Sequence, residues 1–246
     1  MASSNKEIGN NTGLYSRETL KRIVADIKQI KKNPLESEGV FYQHDEENIL
    51  KGYALVIGPK DTPYAYGHYF FKFDFPNDYP HSPPHVTFHN WGDNIRFNPN
   101  LYRTGKVCLS ILNTWRGEGW TSCQTLTTIL LTLCTVLNEN PLLNEPGITA
   151  NQEQAIKNYN NIISYKNIEL SIFKCSNMFK ELLPVEFHSF HPYVEENIKK
   201  NKENIQNSIN KLSENIGNNI TVITSHYNMQ VKINCEKIKL EYNNFK

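Results

Sequence analysis

The chain has 246 residues, with 26 lysines and arginines set against 25 acidic residues and a formal charge of +1 at neutral pH, so it lacks the basic footprint that draws a protein to nucleic acid. Its five cysteines, at 108, 123, 134, 175 and 235, form no CxxC pair and are odd in number, which argues against a closed disulfide framework and for a reducing compartment. The longest apolar run, residues 126–137, is about half a membrane span and is broken by threonines; a soluble, cytoplasmic or nucleo-cytoplasmic protein is expected, built as one core and an annex.

Residues 1–14 are polar, without the apolar segment of a signal peptide, and read as a disordered tail. Ser16 then suits a helix N-cap and Glu18 its first turn, and Leu20, Ile23, Val24, Ile27 and Ile30 follow at helical spacing until Asn33-Pro34 stops the run. The other face carries Lys21, Arg22, Lys28, Lys31 and Lys32, either a solvated surface or a docking surface for an acidic partner. From residue 39 to 89 the texture changes to short tyrosine-, phenylalanine- and valine-rich runs with turn punctuation between them, and four antiparallel strands are predicted at about 39–44, 49–57, 68–75 and 85–89. The third, HYFFKFDF, has aromatics on both faces, as expected of a strand covered by a helix on one side and loops on the other. It runs into PNDYPHSPP, whose prolines hold a rigid extended path. His68, His81, His85 and His89 lie nearby, but no cysteine or acidic partner stands at metal spacing, and neither a metal nor another cofactor is expected.

Residues 125–138 are apolar nearly all round and predict a buried helix, with Cys134 in the core. A polar helix is expected from about Thr149 or Asn151, further helix to Leu183-Pro184, and another marked by Ile198, Ile205, Ile209, Leu212 and Ile216. Beyond residue 220 local alternation at Val231, Ile233 and Cys235 gives way to Ile238 and Leu240, leaving strand and helix both open.

The chemistry concentrates in FNPNLYRTGKVCLSILNTWRGEGW, residues 97–120. Cys108 stands at the end of a turn-rich loop, with Asn100, Tyr102 and Gly105 eight, six and three positions before it. A thiol attacks a carbonyl and a nearby amide donor stabilises the oxyanion, which is the minimum equipment for making and breaking a thioester.

Helix, four strands, proline-rich loop, nucleophile loop and following helices is the element order of the ubiquitin-conjugating enzymes, and the sequence resembles that family at PNDYPHSPPHVTF, at RFNPNLYRTGKVCLSIL and at the marker tryptophan Trp120. The resemblance covers about residues 15–160 and implies an α+β ubiquitin-conjugating (UBC) fold: a four-stranded antiparallel sheet with an N-terminal helix and C-terminal helices, followed by a mainly helical extension over residues 161–246. It further implies that Cys108 accepts the C-terminal carboxyl of ubiquitin or a ubiquitin-like protein from an activating enzyme, in an ATP-dependent pathway, and passes it to a substrate lysine with a ligase bound. Asn100 matches the asparagine credited with holding the loop and the oxyanion. Tyr102 matches a position that helps desolvate the incoming lysine. The acidic rim residue falls on Glu145, or on Asn144 if no gap is allowed. Partner contacts are expected at Lys21, Arg22 and Lys28 on the basic face of the first helix, and the resemblance places the ligase-contact positions at His81 and Pro83 in the proline-rich loop, where His81 replaces the usual aromatic, and at Thr121, Ser122 and Cys123 after Trp120, which replace the usual serine-proline-alanine. No nucleic acid or membrane partner is implied.

The sequence departs from the family pattern where Asn98 replaces the histidine of the His-Pro-Asn motif, and in a longer loop, NTWRGEG, between Cys108 and Trp120. With NEPG at 144–147 and KNYN at 157–160, these departures resemble a branch of large conjugating enzymes that includes the Z-type enzyme and a giant inhibitor-of-apoptosis enzyme. Two other readings remain: a catalytically inactive ubiquitin-binding variant, which the presence of Cys108 disfavours, and a cysteine hydrolase, which needs a histidine base beside the thiol.

Overall fold

The computed structural model describes residues 15–91 and 94–244; the tail expected at residues 1–14 lies outside the described residues. Ser16 caps α1 (Arg17–Lys32), its Oγ accepting the Thr19 N–H at 3.0 Å, and the helix turns Ile23 and Ile30 inward while Lys21, Lys28, Lys31 and Lys32 stay exposed. Four strands follow, β1 (Val40–His44), β2 (Lys51–Ile57), β3 (His68–Asp74) and β4 (His85–Phe88), each antiparallel to the next in the order β1-β2-β3-β4. The register places Tyr42, Ala54, Phe71 and Phe88 in one row and Phe41, Leu55 and Phe70 in the adjacent one, so the two rows face opposite sides of the sheet.

The first row faces the layer formed by α1 and α2 (Leu126–Thr135), the latter started by Thr125 and Thr128 capping each other. This helix is less enclosed than its composition suggests. Leu126, Ile129, Leu130 and Leu133 are buried, whereas Leu131 and Thr135 are exposed and Cys134 is only half-buried, its Sγ 3.8 Å from the Glu38 carbonyl. A run of apolar residues broken by threonines still has a threonine side to turn toward water, and Cys134 sits at its margin.

The other row is covered by the C-terminal half of the chain, not by loops. α3 (Glu153–Lys166) runs without a break into a π-helical stretch, Asn167–Lys174, and then α4 (Cys175–Asn177) and α5 (Phe179–Leu182). A 3-10 segment, Val185–Phe190, leads into α6 (His191–Ile216). Their rings close on the sheet: Phe70 lies 5.4 Å from Phe187 and 6.3 Å from Phe190, Tyr53 lies 5.7 Å from Phe187, and Phe41 lies 4.4 Å from Tyr193. Each fully buried ring among them, such as Phe70 and Phe190, contributes roughly 1.5–3 kcal/mol of hydrophobic stabilisation. The aromatics on both faces of β3 therefore mark a strand buried between two layers.

Polar contacts fasten the same seam. Tyr69 donates to Asn167 Oδ1 at 2.7 Å, and His68 Nδ1 donates to the Ser171 carbonyl at 2.8 Å while its Nε2 accepts from Asn197 Nδ2 at 3.0 Å. Gly67 permits the approach, since a Cβ there would stand 1.8 Å from Asn167 Oδ1. The boundary expected at residues 160/161 falls inside α3, whose buried Tyr159, Ile162 and Ile163 join the same hydrophobic cluster as the sheet. The undecided tail contains both alternatives: a hairpin of β5 (Ile220–Thr224) and β6 (Met229–Ile233), then α7 (Cys235–Asn244).

Candidate active site

Cys108 is held through its backbone. Its N–H donates to the Asn100 carbonyl at 2.8 Å, and Asn100 Nδ2 donates back to the Cys108 carbonyl at 2.7 Å. Thr114 Oγ1 accepts the Leu109 N–H at 3.0 Å and donates to the Val107 carbonyl at 2.8 Å, so one hydroxyl staples the residues on either side of the thiol. The loop is anchored on the sheet by Gly105, whose carbonyl accepts the Phe88 N–H at 2.7 Å. Its φ is +89°, and a Cβ added there would stand 2.9 Å from the Phe88 carbonyl oxygen; both call for glycine. Cys108 is almost wholly enclosed, with 1% of its surface exposed.

Asn98 binds the turn into the body of the protein. Its Nδ2 donates to the Tyr64 hydroxyl at 2.9 Å and the Val136 carbonyl at 2.7 Å, and its Oδ1 accepts the Asn100 N–H at 2.9 Å. The amide that stands where the family has histidine is thus satisfied at both ends and fixes the residue that holds Cys108. Asn100 Oδ1 is buried and has no partner among the described residues, leaving the amide oriented by its donor side.

Tyr102 does not reach these bonds directly. Its ring stacks on the Arg96 guanidinium, with Cζ 3.4 Å from the ring centroid, and Arg96 in turn donates to the Asn98 carbonyl at 3.0 Å and the Pro99 carbonyl at 2.6 Å. Arg96 Cζ also lies over the ring of Tyr227, 4.9 Å from its centroid. The Tyr227 hydroxyl donates to Glu145 Oε2. Burial, followed by the bond to Glu145, pushes the Tyr227 phenol well above its ordinary pKa, so it remains a donor. Glu145 is therefore linked to the wall that carries Tyr102, whereas Asn144 turns away, donating to the Val136 carbonyl at 3.2 Å and accepting from Asn138 at 3.0 Å.

The residues expected to meet partners gather elsewhere. Arg22 pairs with Asp26 at 3.2 Å and donates to the Ser122 carbonyl at 2.6 Å and to the Gln124 carbonyl, so it holds the loop after Trp120 and is not a free surface cation. Trp120 Nε1 donates to the Pro80 carbonyl at 2.6 Å and its ring lies against Tyr79, joining that loop to the proline-rich one. Around this joint Lys21, His81, Thr121, Ser122 and Cys123 are exposed, Pro83 is half-buried, and His81 Nε2 lies 3.5 Å from Glu18. Lys28 is exposed farther along α1.

Of the other thiols, Cys175 and Cys235 are buried, and burial raises their pKa values and keeps them protonated. His68 is engaged at the seam with the C-terminal half, and among the described residues no group of three or more histidine, cysteine and acidic side chains is placed to hold a metal ion. No described helix is long and apolar enough to cross a membrane. Reading the sequence alone missed Arg96, Thr114 and Tyr227. Arg96 had a signal, an arginine directly before the apolar start of the motif, but the hairpin that carries Tyr227 was unassigned.

The family model described as ubiquitin-conjugating enzyme matches residues 22–168. Ubiquitin-conjugating enzyme E2 Z of Xenopus tropicalis is 37% identical over 189 residues, 73% of this chain and 60% of that protein. The Homo sapiens E2 Z is 43% identical over 155 residues, 62% of this chain and 43% of that protein. The human dual E2 ubiquitin-conjugating enzyme/E3 ubiquitin-protein ligase BIRC6 is 38% identical over 167 residues, 62% of this chain and 3% of its own length. The chain thus spans roughly half the length of the E2 Z proteins it matches.

Proposed function

The chain belongs to the ubiquitin-conjugating enzyme family, in the branch of the Z-type enzymes, and on that premise we propose that Cys108 carries ubiquitin or a ubiquitin-like modifier as a thioester. The thiolate attacks the modifier's C-terminal carbonyl on the activating enzyme, and the tetrahedral intermediate collapses with departure of the activating enzyme's thiolate. The neutral amine of a substrate lysine then attacks the new thioester, the amine proton leaves, and Cys108 departs as thiolate with an isopeptide bond formed. The ester is already activated, so the protein needs to position the carbonyl, supply an oxyanion donor and exclude water. A histidine base beside the sulfur is unnecessary.

The observation that carries this reading is the reciprocal pair of hydrogen bonds between Asn100 and Cys108, inside a segment that the family model spans. An amide that already lies along the Cys108 backbone needs only a small shift to offer its second N–H to an oxyanion. In the same reading Tyr102 and Glu145 face the incoming amine, and the joint of α1, the proline-rich loop and residues 121–123 receives the activating enzyme and the ligase. The test is single-turnover: the chain is charged with modifier, activating enzyme and ATP, charging is stopped, and free lysine is added. A thioester on Cys108 that decays with lysine concentration, giving lysine-modified product, supports the proposal. A chain that never forms the thioester with either ubiquitin or a ubiquitin-like modifier contradicts it.

A further inference from the structure

Tyr227 lies at the tip of the C-terminal hairpin, more than a hundred residues from Cys108, yet it contacts Glu145 directly and reaches Tyr102 through Arg96. Its hydroxyl donates to Glu145, and its ring backs the Arg96 guanidinium against which Tyr102 is stacked. The hairpin is fastened at this point by independent contacts. Arg103 Nη2 donates to the Tyr227 carbonyl at 2.5 Å, the Arg96 N–H points at Met229 Sδ at 3.3 Å, and Tyr159 lies 6.0 Å from the Tyr227 ring while donating to the Arg96 carbonyl at 2.7 Å. The backbone supplies a second observation. Tyr227 and Asn228 have φ of 63° and 48°, left-handed values unusual for a bulky aromatic residue, and a conformation of this kind costs on the order of 1 kcal/mol or more and persists where the surroundings over-determine it.

We propose that Tyr227 is a positioning residue for aminolysis: it orients Glu145 through its hydroxyl and Tyr102 through Arg96, making the C-terminal hairpin part of the lysine-receiving side of the site. This rests on the function proposed above. The physical logic lies in the amine. A lysine must shed its proton and part of its hydration before its nitrogen can attack, so a correctly aimed carboxylate and an apolar ring matter to lysine. A weakly basic nucleophile, neutral at the same pH, needs neither. Glu145 Oε2 is occupied by Tyr227, which leaves the second carboxylate oxygen to face the amine.

The experiment compares discharge of the Cys108 thioester to free lysine and to hydroxylamine from pH 6 to 9, for the wild-type chain, Tyr227→Phe, Glu145→Gln and the double variant. Tyr227→Phe keeps the ring on Arg96 and removes only the hydroxyl. It is expected to slow discharge to lysine about tenfold near pH 7, a fraction of the ~10²–10⁴ that positioned acid–base groups provide, to shift the lysine profile toward higher pH, and to leave the hydroxylamine rate within about twofold. The double variant is expected to be no slower than Glu145→Gln, because the two changes remove one interaction. Equal slowing toward both nucleophiles, losses that multiply in the double variant, or an unaffected lysine rate each overturns the proposal while the function of Cys108 stands. A wild-type chain that never charges overturns both.

Discussion

Asn100 and Cys108 exchange hydrogen bonds in both directions, backbone to backbone at 2.8 Å and side-chain amide to carbonyl at 2.7 Å. The pair couples the shape of the loop around Cys108 to the side-chain amide of Asn100. Asn100→Asp replaces the donating Nδ2 with an acceptor aimed at a carbonyl oxygen, in a residue only 6% exposed. Denaturant titration is expected to show a loss of ~1–3 kcal/mol from the unsatisfied buried group. Discharge to lysine is expected to fall by about 10²-fold, the scale of a lost oxyanion donor. A variant with wild-type discharge would remove Asn100 from the chemistry.

The two cysteines nearest the proposed function differ sharply in access. Cys108 is buried and Cys123 is exposed. Brief alkylation with iodoacetamide under native conditions, followed by peptide mapping, is expected to modify Cys123 at least about tenfold faster than Cys108, since reaction requires an accessible thiol. Unfolding before alkylation should remove the difference. Comparable native rates would mean that Cys108 is exposed in solution for much of the time.

Phe190 is fully buried beneath the sheet, with Phe70 at 6.3 Å. Phe190→Ala is expected to cost ~3–5 kcal/mol, the range for deleting a large core ring. Val185, only five residues earlier in the same segment, is 76% exposed, and Val185→Ala should stay within about 0.5 kcal/mol. Similar effects at the two positions would show that the C-terminal half does not close the sheet in solution.

His68 makes the same seam sensitive to acid. Burial depresses its pKa to about 4 from the ordinary 6.5, so the folded protein holds a neutral imidazole where the unfolded chain takes up a proton. The stabilisation is complete above pH 6.5 and is lost progressively as pH falls toward 4. Between pH 7 and pH 5 this one group is expected to remove roughly 2 kcal/mol. His68→Gln should be less stable at neutral pH but lose correspondingly less on acidification, as measured by unfolding midpoints at the two pH values. Parallel pH dependence in both proteins would contradict the assignment.

The strands could be read from sequence because each obeys a local rule: alternation along the strand with turn residues after it. The buried rows around Phe71 and Phe70 express that period. The nucleophile loop was readable for the same reason, as Gly105 and Asn100 act within ten residues of Cys108. Contacts between distant segments left no such trace. Helical spacing shows that Arg22 lies on the polar side of α1 but not that the carbonyls of Ser122 and Gln124 lie within its reach. Aromatic residues on both faces of β3, Phe70 on one and Phe71 and Phe73 on the other, show that something covers each side, and the choice between loops and helices depended on a fold of the C-terminal half that isoleucine spacing alone does not dictate. Tyr227 was hidden twice, by the ambiguous period of its hairpin and by its distance in sequence from Glu145.

The central claim is that Cys108 is the acyl carrier. It is tested most directly by incubating the chain with ATP, modifier and activating enzyme, and resolving the products on gels with and without reducing thiol. The expected result is a thiol-sensitive adduct in the wild-type chain, no adduct in Cys108→Ala, and a thiol-resistant adduct in Cys108→Lys, where an isopeptide replaces the thioester. An adduct that persists in Cys108→Ala, or a folded wild-type chain that forms none with ubiquitin or a ubiquitin-like modifier, would contradict the account.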